Sequence, residues 1–132
     1  MTDNSALVRS LYDSFGCGDL KSILDRLDPS IDWISSTTAT AIPWRGRHSR
    51  VEGAASFFKA LTDSLEFEVF EPRQFFAAGD TVTVLGRTLA RVKSTGKKFD
   101  SEWAHLFTFK GGKIERFQEF YDTAAIVDVI AG

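Results

Sequence analysis

The chain of 132 residues is poor in the residues that staple or interrupt a fold, with one cysteine, three prolines, one methionine and two histidines. A lone Cys17 excludes an internal disulfide and points to a reducing compartment. No apolar run reaches the length of a membrane span. The opening residues 1–15 (MTDNSALVRSLYDSF) are broken by Asp, Asn, Ser and Arg and hold no signal-peptide core. A soluble, cytoplasmic protein without a membrane partner is expected. Charge of one sign is missing too: sixteen basic and eighteen acidic residues leave a net charge of −2, which argues against a nucleic-acid partner. Residues 93–98 (KSTGKK) have the composition of a solvated hairpin turn rather than a basic patch. Two distant histidines and one cysteine give no zinc spacing. No glycine-rich phosphate loop follows a strand, and no Ser-His-acid order suggests a triad. Neither a metal nor a cofactor is expected.

What the chain has in excess is rings, with twelve Phe, three Trp and two Tyr among residues that are 43% hydrophobic and 26% charged. That density calls for a thick core, a ring-lined pocket, or both. The length fits one domain, residues 1–132.

Apolar residues in the first half recur at helical spacing. Over residues 5–15, Ala6, Leu7, Leu11, Tyr12 and Phe15 form one stripe, with Asn4 or Ser5 as cap and Gly16 and Gly18 as terminators. Asp19 caps a second short helix through Leu27, which Asp28-Pro29 ends. Residues 31–35 read as a strand and residues 37–49 as an irregular loop. A third helix over residues 49–65 buries Val51, Ala55, Phe58 and Leu61. Four strands follow at about 67–77, 81–92, 98–110 and 113–121, separated by Gly79-Asp80, residues 94–96 and Gly111-Gly112. Residues 123–130 form a closing helix, capped by Asp122. Helices followed by an antiparallel meander make an α+β fold, a curved sheet wrapped around helices with a conical cavity between them.

The strand at 98–110 places Trp103, His105, Phe107 and Phe109 on one face. On the next strand Phe117, Glu119 and Tyr121 share a face. A two-residue Gly-Gly turn would set His105 beside Gln118. A three-residue loop over 110–112 with Gly112 left-handed sets His105 beside Phe117 and Trp103 beside Glu119. The second is preferred because it makes one continuous aromatic face. A carboxylate walled by Trp and Phe is desolvated, which raises its pKa toward neutrality and suits it to move a proton next to a carbonyl. His105 can then donate to the developing enolate oxygen. The plainer alternative is that Glu119 and His105 satisfy each other within a core.

The segments YDSFGCGDL (12–20), Asp32-Trp33, Pro43-Trp44-x-Gly46 and WAHLFTFKGGKIERFQEFYDTAA (103–125) resemble, in this order, the NTF2-like superfamily. The resemblance is to its SnoaL-like branch of polyketide cyclases and ketosteroid-isomerase relatives. It implies a cone-shaped α+β barrel, a homodimer, and a pocket between helices and sheet that holds a hydrophobic small molecule. It also implies that Glu119 and His105 occupy the strand positions where the cyclases carry a catalytic aspartate and a histidine, the acid here being one methylene longer. Tyr12, Trp33, Arg87, Trp103, Phe107, Phe117 and Tyr121 are the candidate substrate contacts, with Ser35 on the same side of its strand as Trp33. Arg87-Thr88-Leu89 followed by Glu119 resembles the Arg-x-Asp…Asp pattern of limonene-type epoxide hydrolases, but Leu89 stands where the first aspartate belongs. The general-base position of the ketosteroid isomerases falls at Ile34 or Ser35, neither of which is a base. His48 reads as solvent-exposed, and Leu106, Ile114 and Phe120 read as an outward apolar face for dimerisation. The functional expectation is an acid–base isomerase, aldol cyclase or lyase working on a carbonyl compound. The alternatives are a non-catalytic binding protein and a structural dimer module on the same fold.

Overall fold

A computed structural model describes residues 4–130. The order of elements is α1 (Asn4–Gly16), α2 (Leu20–Leu24), β1 (Leu27–Ser35), β2 (Gly46–Ser49), α3 (Arg50–Ser64), β3 (Leu65–Ala78), β4 (Thr81–Val92), β5 (Lys98–Lys110), β6 (Lys113–Tyr121) and α4 (Thr123–Ile130). All six strands join one curved, unclosed sheet in the order β2-β1-β6-β5-β4-β3, the α+β cone expected from the sequence. Only the β1–β6 pair is parallel. The sheet is therefore larger than the four-strand meander alone, because β1 and β2 extend it beyond β6.

Local chemistry explains most boundaries. On α1 the inward stripe centres on Val8 and Leu11, both buried, while Ala6 faces solvent. The Asp19 side chain accepts the Ser22 N–H at 3.1 Å and starts α2, which stops at Leu24 rather than continuing to Leu27. The chain enters β1 at Leu27, and Pro29 lies where the β1–β6 register shifts between Leu27 and Asp32. Proline lacks the ladder N–H, so it is tolerated where pairing is already interrupted. Residues 46–49, expected as loop, form β2 against β1. Helix α3 buries Ala54, Phe57 and Phe58, one register step from part of the expected stripe. The Asp122 carboxylate accepts the Ala125 N–H at 3.1 Å and caps α4 as expected.

The β5–β6 hairpin corrects the expected register. Gly111 and Gly112 both have positive φ (55° and 78°), and Lys110 pairs with Lys113 across a two-residue turn. Two consecutive positive-φ residues suit the right-handed twist of a hairpin, which is why both positions are glycine. The pairing then shifts between Thr108 and Phe109, because Glu115 is an extra residue on β6. His105 consequently stands opposite Glu119, Trp103 opposite Tyr121, and Phe107 opposite Phe117. The single bulge restores parity, so the expected faces survive although the expected partners do not. It also leaves Ile114 fully buried instead of on the outer face.

The buried apolar residues form a continuous core between the sheet's inner face and the helices, with α3 against β1, α1 against β3 and α4 against β5. Trp33 stacks on Phe117 with ring centres 3.9 Å apart, and Phe57 and Phe58 close over Trp33.

Candidate active site

The inner face of the cone encloses a cavity of about 100 Å³. Its wall is mostly aromatic, and among the described residues no Lys or Arg lines it. Of the nine candidate site residues, Glu119, His105, Tyr12, Trp33, Trp103, Phe107, Phe117 and Tyr121 all line this cavity. Arg87 does not. Alternation along β4 turns Gly86 and Thr88 inward and Arg87 to the outer face, where its guanidinium forms a two-point ion pair with Asp100 at 2.6 and 2.9 Å. Arg87 is thus corrected from substrate contact to surface ion pair. His48 is corrected as well: β2 half-buries it, its Nε2 lies 3.0 Å from the Trp44 carbonyl, and its ring packs in a T-shaped contact with Phe57, centres 5.5 Å apart.

The centre of the site is built from three neighbouring strands. Ser35 on β1, Glu119 on β6 and His105 on β5 lie side by side across the sheet. Ser35 is fully buried, and its hydroxyl donates to Glu119 Oε1 at 2.8 Å. That hydroxyl also sits 2.6 Å from the Tyr121 hydroxyl. On the other side Tyr12, reaching in from α1, places its hydroxyl 2.8 Å from His105 Nδ1. The contact is satisfied with Tyr12 donating, which assigns the ring proton to Nε2. Nε2 faces Glu119 Oε2 across 3.7 Å. This is too long for a hydrogen bond, so both atoms keep open valence toward the cavity while each group is held from behind by a hydroxyl.

Burial sets the protonation of both groups. Desolvation pushes Glu119 up from 4.5 to about 7, against a smaller downward pull from the Ser35 hydrogen bond. Desolvation pushes His105 down from 6.5 to about 3. The imidazole is therefore neutral, and the pair is not a salt bridge at neutral pH. Tyr12 and Tyr121 are both pushed up, first by burial and then by the Glu119 charge, and so stay protonated as donors.

The rings hold this geometry. Trp103 stacks on His105 with centres 3.9 Å apart and planes 15° from parallel, and its ring also lies 5.2 Å from Phe70 with planes 19° apart. Its indole N–H donates to Thr88 Oγ1 at 2.8 Å. Trp33 is 4% exposed, and its Nε1 has no hydrogen-bond partner among the described residues. Buried N–H groups are almost always paired, which marks Trp33 as an unanswered donor in the cavity wall.

Ser35 and Phe70 are among the contributors outside the candidate set. Ser35 shares the face of Trp33 in the sequence pattern, but its contact with Glu119 depends on the parallel β1–β6 pairing, for which no local signal exists. Phe70 lies between two register shifts of β3, where strand alternation breaks down and cannot say which way a ring points. Among the described residues no cluster of three or more His, Cys, Asp or Glu could hold a metal ion, and no helix is long and apolar enough to cross a membrane.

A family model for the SnoaL-like domain matches residues 8–117. Among solved structures, an NTF2-like protein of unknown function from Burkholderia pseudomallei superposes with a TM-score of 0.91 at 22% identity, covering all of both chains. An NTF2-like protein from Burkholderia xenovorans matches with a TM-score of 0.86 at 28% identity, over 96% of this chain and 95% of that one. TerC, co-crystallized with polyporic acid, matches with a TM-score of 0.86 at 23% identity over 98% of each chain. No curated protein matches the sequence.

Proposed function

The chain belongs to the SnoaL-like domain family, and from that premise we propose that it is an acid–base enzyme acting on a small hydrophobic carbonyl compound, as an isomerase, aldol cyclase or lyase. Glu119 is the proton shuttle and His105 the group that polarises the carbonyl. One observation carries this reading. A buried carboxylate and a buried neutral imidazole face each other at 3.7 Å, each fastened on its far side and open on its near side, in an aromatic cavity.

A ketone seated there presents its acidic C–H to Glu119 Oε2. The C–H bond breaks, the proton goes to Oε2, and the electron pair moves onto the carbonyl oxygen as an enolate. The Nε2–H of His105 donates to that oxygen, and the Tyr12 bond to Nδ1 keeps the proton on the correct nitrogen. Return of the proton from Glu119 to another carbon completes an isomerisation; attack of the enolate carbon on a second carbonyl, whose alkoxide takes the proton back from Glu119, completes an aldol closure. A group poised near neutrality suits both directions of transfer, which fits Glu119 at about 7. The lack of a cation in the wall selects an uncharged substrate, because an anion would meet Glu119 with nothing to balance it. TerC, a structural relative co-crystallized with polyporic acid, supports the cavity as a site for small molecules.

The test follows solvent-deuterium incorporation, by NMR, into a panel of enolisable cyclic ketones that includes a β,γ-unsaturated one. Wild type should exchange or isomerise a panel member, and Glu119→Gln should do so at least about 100-fold more slowly with binding retained. Ligand that wild type retains unchanged would instead make this a binding protein. The proposal includes a homodimer through the outer face of the sheet, where Leu85 and Phe120 are 38% and 44% exposed beside Leu106. A monomer by sedimentation at micromolar concentration would remove that part.

A further inference from the structure

Glu119 has two chemically equivalent oxygens, yet the fold treats them differently. Oε1 is turned to β1, where the Ser35 hydroxyl donates to it at 2.8 Å. Oε2 is turned to His105 and the open cavity. Ser35 is itself constrained, being fully buried with its oxygen 2.6 Å from the Tyr121 hydroxyl. A serine hydroxyl has one proton to give. With Tyr121 donating to Ser35, that proton has Glu119 Oε1 as its acceptor. The result is a directed relay of donors, Tyr121 to Ser35 to Glu119, ending on one carboxylate oxygen. Its members come from β1 and β6, so the strand pairing itself maintains it.

We propose that Ser35 is a positioning residue for the acid–base step: locked by Tyr121, it holds Oε1 of Glu119 and leaves Oε2 as the one oxygen that takes and returns the proton. The proposal rests on the reading of Glu119 as the acid–base group. Without the Ser35 hydroxyl the carboxyl is free to turn about its terminal torsion, which is broad for Glu. The charged form also loses its one hydrogen-bond donor among the described residues. The groups that face Glu119 are His105 from β5, Tyr12 from α1, Ser35 from β1 and Tyr121 on β6, and none of these carries a charge at neutral pH. Loss of Ser35 is therefore not compensated by a neighbouring cation.

The experiment has two readouts. The first needs no substrate: protein labelled with 13C at the glutamate carboxyl is titrated by NMR, and Glu119 is identified by the resonance missing from Glu119→Gln. Ser35→Ala should raise the Glu119 midpoint by about one pH unit, and Tyr121→Phe, which keeps the ring in place, by less in the same direction. The second is ketone exchange, where Ser35→Ala should lower kcat about tenfold and leave KM unchanged. Midpoints that move by less than about 0.2 pH unit in both folded variants would overturn the proposal. A midpoint that moves while exchange stays at the wild-type rate would overturn it as well. A midpoint that moves while wild type exchanges no ketone would sink the acid–base reading and the catalytic role of Ser35 with it, and the titration tells that failure apart from the first.

Discussion

Replacing Glu119 by glutamine should stabilise the protein, and by an amount that depends on pH. Folded, Glu119 lies at about 7 against an ordinary 4.5, so between these values the folded protein holds a proton that the unfolded chain has released. Its contribution to stability is complete below about pH 4.5 and is lost as pH rises to about 7. At about 1.4 kcal/mol per pH unit, that interval amounts to about 3 kcal/mol of stability absent at pH 8. His105 acts in the opposite sense. It lies at about 3 against an ordinary 6.5, so its contribution is complete above 6.5 and is lost as pH falls toward 3. Between 4.5 and 6.5 the two effects cancel, and wild-type stability should be nearly flat there. Glu119→Gln removes the carboxyl titration and leaves that of His105. The variant should therefore gain about 3 kcal/mol more over wild type at pH 8 than at pH 4. Urea unfolding of both proteins at the two pH values, followed by tryptophan fluorescence at fixed ionic strength, measures this directly. A gain that differs by less than about 0.5 kcal/mol between pH 8 and pH 4 would refute the claim that burial destabilises the carboxylate. In the proposed mechanism the same costly charge makes the group a usable base, so the stability and exchange experiments probe one property from two sides.

Three further outcomes follow from the geometry. A Cβ at Gly86 would collide with the indole ring of Trp103 and lie 2.6 Å from the Glu71 carbonyl oxygen, so Gly86→Ala should cost about 1–3 kcal/mol and lower the melting temperature by roughly 5–10 °C. An unchanged melting curve would show that Trp103 moves freely. Tyr12→Phe removes the donor to His105 Nδ1 and should slow ketone exchange about tenfold, while a full wild-type rate would exclude control of the tautomer by Tyr12. Arg87→Ala should leave the exchange rate unaltered and the melting temperature within about 2 °C, because the Arg87–Asp100 pair is on the outer face and exposed to water; a loss of exchange would put Arg87 back in the site.

The strands from β4 to β6 and the closing helix were legible to the residue or nearly so, because alternation and turn glycines are local signals. The shared face of Trp103, His105 and Phe107, and that of Phe117, Glu119 and Tyr121, follow from the period of two along a strand and need no knowledge of the fold. Local pattern failed where both faces of a strand are apolar. Along β4, Val82 and Val84 point in while Leu85 and Leu89 point out, so composition could not say that Arg87 belongs outside. Nor did anything in KGGKIERF show that β6, rather than the turn, would take the extra residue.

Sequence by itself thus determined the membership of the aromatic face, since side-chain alternation is a property of the chain. Tertiary structure decided which members meet. The Glu115 bulge set Glu119 opposite His105 instead of Trp103, and the parallel pairing of β1 with β6, between segments more than eighty residues apart, brought Ser35 to Glu119. Contacts of that kind form only when the whole sheet closes on its helices, because burial of the common core, not a local preference, fixes their register.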